Sequence, residues 1–180
     1  MTMRAAILTV SDRCFRNEAR DESGPALAQR VRERLGMEVA ERACVPDERE
    51  RIEQTLRSWA FGAKAPALIL TTGGTGLGPR DVTPEATLAV VERRHSGLVE
   101  LMRLRTGAEN PRAYLSRAEA GAAGRSLIVN LPGSVRGAVE CFDAVADILP
   151  HALGVLAGED HNRDAPRDAL RDAAARERAP

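Results

Sequence analysis

Residues 70–86 read Leu-Thr-Thr-Gly-Gly-Thr-Gly-Leu-Gly-Pro-Arg-Asp-Val-Thr-Pro-Glu-Ala, with four glycines in the six positions from Gly73 to Gly78. A loop of this composition brings bare backbone N–H groups close to an anion, because glycine has no Cβ in the way. Asp81 stands where that anion would lie. A carboxylate beside a phosphate is repulsive unless a cation separates them. The segment therefore points to a phosphate-bearing ligand and a divalent metal, Mg²⁺ being the one that suits carboxylate and phosphate oxygens together. It is not a Walker A loop, which ends in Gly-Lys-Ser/Thr where this chain has Pro79-Arg80-Asp81, and the only lysine is Lys64. It is not a GxGxxG fingerprint either, since Pro79 holds the place of the third glycine. The alternative role for Asp81 is a simple charge balance with Arg80.

Three further groups carry possible chemistry. Thr83-Pro84-Glu85 reads as a helix start, with Thr83 as N-cap, Pro84 at the first helical position and Glu85 on the positive end of the dipole. Glu85 has a secondary reading as a holder of metal-bound water. Asp47-x-x-Glu50 matches a capping box, so Asp47 is either a cap or a second acid facing Asp81. Pro132-Gly133-Ser134 offers two N–H groups and a hydroxyl to a second anion, or a plain N-cap at Ser134. His95, His151 and His161 do not cluster with one another or with carboxylates at ligand spacing, and no Ser-His-Asp arrangement is suggested.

These groups need a frame. Ala5–Val10 is a short apolar run, a first buried strand ending in Ser11-Asp12. A polar loop over Cys14–Glu22 leads to a helix opened by Ser23-Gly24-Pro25, with Leu27, Val31 and Leu35 on one face and Gly36 closing it. Met37–Val45 alternates as a half-exposed strand, and Ile52, Leu56 and Trp59 form one stripe of the next helix. Ala67–Thr72 fits a central parallel strand. A helix from Pro84 to Arg94 packs through Leu88 and Val91, and another helical stretch carries Leu98, Leu101 and Met102. Asn110-Pro111 interrupts the chain, and a short piece spans Tyr114–Ala120. A strand covers Ser126–Leu131, followed by a helix with Ala138, Phe142, Val145 and Leu149 on one face. A last helical segment, His151–Leu156, ends at Gly158. Alternating strands and helices predict an α/β fold, a three-layer α/β/α sandwich with a mostly parallel central sheet. In such sheets ligands lie at the carboxyl ends of the strands. That rule collects Ser11-Asp12, Pro46-Asp47, Gly73–Asp81 and Pro132-Gly133-Ser134 on one rim.

With 180 residues the chain suits one domain, here residues 1–159, followed by an Asp/Arg/Ala-rich tail over 160–180 whose one bulky apolar residue is Leu170. Aromatics are 3%, so the core is aliphatic and base-stacking platforms are absent. The formal net charge is zero, which provides no general field for nucleic acid or anionic membrane. No run approaches transmembrane length, and the first ten residues read as a strand rather than a secretory leader. Cys14, Cys44 and Cys141 have no paired or zinc-type spacing, which fits reduced thiols in the cytoplasm.

Thr-Thr-Gly-Gly-Thr-Gly followed by Arg-Asp-Val-Thr-Pro-Glu-Ala, with Asn-Leu-Pro-Gly-Ser downstream, resembles the molybdenum-cofactor biosynthesis proteins of the Mog/MoaB and gephyrin G-domain group. Leu-Thr-Val-Ser-Asp-Arg-Cys at the first strand, Asp-Glu-Ser-Gly-Pro at residues 21–25 and Val-Pro-Asp-Glu at 45–48 are similar to the Mog branch. The resemblance covers residues 5–158. It implies a compact, usually trimeric α/β domain that adenylylates molybdopterin, a nucleotidyltransferase using Mg-ATP and releasing pyrophosphate. It places the essential, metal-holding aspartates on Asp47 and Asp81. It places the pterin- and nucleotide-contacting loops on Ser11 and Asp12, on Thr72, Gly73, Gly74, Thr75 and Gly76, and on Pro132, Gly133 and Ser134. Hand-over partners would be molybdopterin synthase and the molybdate-insertion enzyme. A non-catalytic molybdopterin carrier or scaffold of the same fold is the alternative. Where the family usually continues Leu-Pro-Gly-Ser-Pro, this chain has Leu-Pro-Gly-Ser followed by Val135-Arg136, and losing that proline frees one backbone N–H at the helix start.

Overall fold

A computed structural model describes residues 3–158; the tail expected over 160–180, with His161 and Leu170, lies outside the described residues. The chain forms β1 (Arg4–Val10), α1 (Asp12–Phe15), α2 (Ser23–Leu35), β2 (Glu38–Val45), α3 (Arg49–Ala60), β3 (Leu68–Thr72) and α4 (Thr83–Leu88). It continues through β4 (Arg93–Arg94), α5 (Ser96–Gly107), a 3₁₀ turn (Pro111–Leu115), β5 (Ala120–Ala123), β6 (Ser126–Leu131), α6 (Val135–Asp143) and α7 (Leu149–Ala157).

The six strands make one sheet in the order β2-β1-β3-β6-β5-β4. The pairs β1–β2, β1–β3 and β3–β6 are parallel, and β5 and β4 complete the sheet antiparallel. Side chains alternate across the strands, so the sheet divides the core in two. Ile7, Leu68, Leu70, Val129 and Leu131 pack with Leu27, Leu98, Phe142 and Leu149 from α2, α5, α6 and α7. Leu8, Val10, Ile69 and Ile128 pack with Ile52, Leu56 and Ala86 from α3 and α4. This is the expected three-layer sandwich. Central β3 and β6 are buried at every position, as strands covered on both faces must be. Inside β6 the fully buried Asn130 gives its amide N–H to Thr71 Oγ1 (2.9 Å) and Thr87 Oγ1 (2.8 Å) and accepts from Glu119 N (3.1 Å). That network ties β3, α4 and the residue leading into β5 to one side chain.

Parallel pairing puts the carboxyl ends of β1, β2, β3 and β6 on one edge. After β1 the chain leaves toward the α2 layer, and after β3 it leaves toward the α4 layer. The two loops diverge, which opens a crevice between the ends of β1 and β3.

Several expected elements differ. The helix after the glycine loop stops at Leu88, because Arg93–Arg94 leaves to pair with β5; Leu88 is exposed and Val90 is buried instead. The small-residue segment 120–123 is a strand. The helix expected to run from Ala138 to Leu149 is two helices, α6 ending at Asp143 and α7 starting at Leu149. The loop after Ser11 contains the short helix α1.

Candidate active site

The loop after β3 is held between its neighbours by close backbone approach. Gly73 has φ +103° and donates its N–H to Leu131 O (3.1 Å), and a Cβ there would lie 2.2 Å from Val10 O. Gly74 has φ +64°, and a Cβ there would meet Thr83 Oγ1 at 2.4 Å and Asp47 Oδ1 at 3.2 Å. Glycine is the residue that leaves this space open and adopts both angles without strain. Gly133 lies against the same loop, its would-be Cβ 3.1 Å from Gly73 Cα. The Pro132–Ser134 turn is thus stacked on the glycine turn, and Thr72 Oγ1 fastens the two by donating to Pro132 O (2.7 Å).

Asp47 is not a helix cap. Glu48 holds the N-cap position of α3 without a side-chain bond, and Asp47 Oδ2 instead accepts from Asp12 N (2.7 Å). Asp12 Oδ1 reciprocates by accepting from Asp47 N (3.1 Å). Together they lace the ends of β1 and β2. Burial pushes the Asp47 carboxyl above the ordinary range, with the carboxylates of Asp12 and Asp81 adding to it. Arg80 does not balance Asp81; it grips Asp12 through contacts of 2.9–3.1 Å, and this holds the Asp12 carboxyl below its usual value. Asp81 Oδ2 accepts from Gly78 N (2.7 Å), closing the glycine loop from inside. Thr83 is not the N-cap of α4, which is Val82; its hydroxyl donates to Gly73 O (2.9 Å). Glu85 pairs with Arg117 through Oε1, while its Oε2 is buried without a hydrogen-bond partner among the described residues. Ser11 caps α1 by accepting from Cys14 N (3.3 Å), and Ser134 caps α6 by accepting from Gly137 N (3.2 Å).

Two clefts flank the glycine loop. One, of about 380 Å³, is lined by Ser11, Cys14, Arg20, Asp21, Asp47, Gly73, Gly74, Gly133 and Ser134. The other, of about 400 Å³, is lined by Gly74, Thr75, Gly76, Asp81, Asn110, Arg112, Pro132, Gly133 and Ser134 among others. They share Gly74, Gly133 and Ser134, so each holds one of the two aspartates and they meet over the glycine turn. Ser11 and Asp47 belong to the first cleft, and Thr75, Gly76, Asp81 and Pro132 to the second; Thr72 touches the first, while the Asp12 carboxylate is spent on Arg80. Arg20, Asn110 and Arg112 carry no sequence signal of their own beyond type, and only the fold brings them to the walls. Cys14 borders the first cleft; near it, burial pushes the Cys44 thiol up to about 11.

Among the described residues no group of three or more His, Cys, Asp or Glu side chains is arranged to hold a metal. Asp47 and Asp81 each commit one oxygen to a backbone N–H and leave the other without a protein donor. Two carboxylates with substrate oxygens and water is how Mg²⁺ is commonly held, so this donor set fits that ion in company with a phosphorylated ligand.

A mostly parallel α/β domain with two clefts meeting over glycine turns at the carboxyl ends of its strands defines a protein of the doubly wound kind, with its candidate ligand site at that edge. Residues 6–151 match the family described as a probable molybdopterin binding domain, and the chain belongs to it. It is 42% identical over 154 residues to the molybdenum cofactor synthesis protein cinnamon of Drosophila melanogaster, covering 86% of this chain and 25% of that protein. It is 37% identical over 158 residues to a molybdopterin adenylyltransferase of Helicobacter pylori, covering 87% and 89%. The crystal structure of the molybdopterin biosynthesis enzyme MoaB from Thermus thermophilus superposes with a TM-score of 0.81 at 48% identity, covering 87% of this chain and 98% of that one. The chain spans only about a quarter of the Drosophila protein and 22% of the Dictyostelium gephyrin that it also matches.

Proposed function

We propose that the protein is a molybdopterin adenylyltransferase acting on molybdopterin and Mg-ATP. The observation that carries this reading is the pair of clefts meeting over Gly74, with one half-committed aspartate on each side. In the reaction an oxygen of molybdopterin's terminal phosphate bonds to the α-phosphorus of ATP. The bond from that phosphorus to the bridging oxygen breaks, and pyrophosphate leaves with the electron pair. The obstacle is bringing two polyanions together in line. The N–H groups of Gly74, Thr75 and Gly76, which the fold does not commit elsewhere among the described residues, and the start of α6 would offset developing charge there. Mg²⁺, held by Asp47 and Asp81, would supply the remaining positive charge. Neither aspartate acts as a general base, since the attacking phosphate is already ionised at neutral pH. The reading also takes in what the family resemblance implies: a cytoplasmic homotrimer that receives molybdopterin from its synthase and passes the product to a molybdate-insertion enzyme.

The test is to incubate the purified full chain with molybdopterin, ATP and MgCl₂ and to measure pyrophosphate and adenylyl-molybdopterin. Equimolar formation of both is expected. Tight molybdopterin binding with no product would make the protein a carrier.

A further inference from the structure

Outside the motifs that sequence alone singles out, one side chain has a disproportionate hold on the site. Arg117 precedes β5 and is distant in sequence from the glycine loop. Its Nε donates to Gly76 O (2.7 Å), its Nη2 to Asp81 O (2.5 Å), and its Nη1 pairs with the Glu85 carboxylate on α4. Its backbone N–H donates to Thr75 O (2.9 Å). The mount is rigid as well: Arg103 of α5 grips the carbonyls on either side, Ser116 O at 3.0 Å and Ala118 O at 2.9 Å.

The loop it holds has no packing of its own. Gly76 and Gly78 have no side chains, Leu77 is 70% exposed, and Arg80 points outward to Asp12. The Arg80–Asp12 pair is solvent-exposed on the arginine side, and such pairs hold little. The loop is closed on itself by the two Asp81–Gly78 bonds, and one guanidinium bridging the carbonyls of Gly76 and Asp81 is its main tie to the rest of the domain.

We infer that Arg117 is a positioning residue that fixes the Gly76–Asp81 loop and thereby aims the free oxygen of Asp81 into its cleft. For its consequence in turnover this rests on the adenylylation reading; for the loop itself it does not. A guanidinium presents a planar fork that serves three acceptors in one geometry, whereas an ammonium is a compact point charge. Lysine at this position keeps the charge and loses the fork.

The experiment compares wild type with Arg117→Lys by three readouts on the full chain. Hydrogen–deuterium exchange without ligand reports the loop, Mg²⁺ titration of pyrophosphate release reports the site, and thermal melting reports the fold. In Arg117→Lys, amides of residues 76–81 exchange at least about tenfold faster while β3 and β6 keep their protection. Turnover falls on the order of 100-fold and half-saturating Mg²⁺ rises, with KM for molybdopterin nearly unchanged. Loop exchange equal to wild type overturns the inference. So does a loss of protection throughout the sheet, which would make Arg117 a residue of the fold in general. A wild type that releases no pyrophosphate defeats the adenylylation reading, and the exchange comparison with Arg117→Lys still decides the role of Arg117 in the loop.

Discussion

Asp47→Asn separates charge from hydrogen bonding at one atom. The carboxylate accepts from Asp12 N at 2.7 Å, and an asparagine carbonyl can accept the same bond. What the substitution removes is a negative charge that burial, with Asp12 and Asp81 nearby, already disfavours. The ligand-free variant should therefore be more stable, by about 1 kcal/mol, the usual scale for relieving a functional site of its strain. For a chain of this length that is about 2–4 °C in melting temperature. The sign of the pH dependence follows from the raised carboxyl. A group whose folded pKa lies above its unfolded value favours folding at low pH and loses that contribution as pH rises through the folded pKa. The wild type is thus penalised at neutral pH and relieved on acidification, whereas the variant has nothing to titrate. The gap in melting temperature should be widest near pH 8 and close toward pH 4. Turnover should move the other way, falling on the order of 100- to 1,000-fold with one anionic ligand gone. Scanning calorimetry across pH and a pyrophosphate assay check both halves. A variant that melts lower than wild type at pH 8, or that keeps its turnover, would refute the reasoning.

Asp81→Ala should abolish pyrophosphate release while molybdopterin binding, followed by fluorescence titration, persists; simultaneous loss of both would make Asp81 a purely structural closure for Gly78. Chelation with EDTA should stop turnover reversibly, with activity restored by excess MgCl₂. Gly73→Ala should cost about 3 kcal/mol in urea unfolding, because its Cβ would sit 2.2 Å from a carbonyl fixed in the sheet and its φ of +103° is strained for alanine. Asn130→Leu should cost a similar amount, about 3 kcal/mol, since it strands two buried threonine hydroxyls and the Glu119 N–H.

The central strands and the helices with a single apolar stripe were legible because their burial is periodic. Leu68–Thr72, Ser126–Leu131 and the α2 face of Leu27 and Val31 announce themselves by pattern alone. So did the rim, since parallel strands carry their carboxyl ends to one edge. Segment 120–123, Ala-Gly-Ala-Ala, gave no such signal. It is a strand because β6 has a free edge there, and it is small because a Cβ on Gly121 would strike Val91 Cγ1 at 2.3 Å and Arg93 O at 2.6 Å. Low strand propensity was overridden by a tertiary constraint. The caps read at Asp47 and Thr83 failed for the same kind of reason. Both side chains found partners across loops, Asp12 N and Gly73 O, that no local window contains. Arg117 was invisible because two of its three side-chain acceptors are backbone carbonyls, which every residue has, and the third, Glu85, lies 32 residues away in sequence.

Both borders of the sheet are guarded. On one side β4 is two exposed arginines long, and on the other β2 carries Glu38, Glu41 and Arg42 at partly or fully exposed positions. A short, charged border is a poor template for adding a strand from another molecule. Addition of a strand from a second copy along either border is therefore disfavoured, and the β-ladder offers few ready seams along which chains could polymerise. Replacing Arg93 and Arg94 by valine would remove that safeguard from one border.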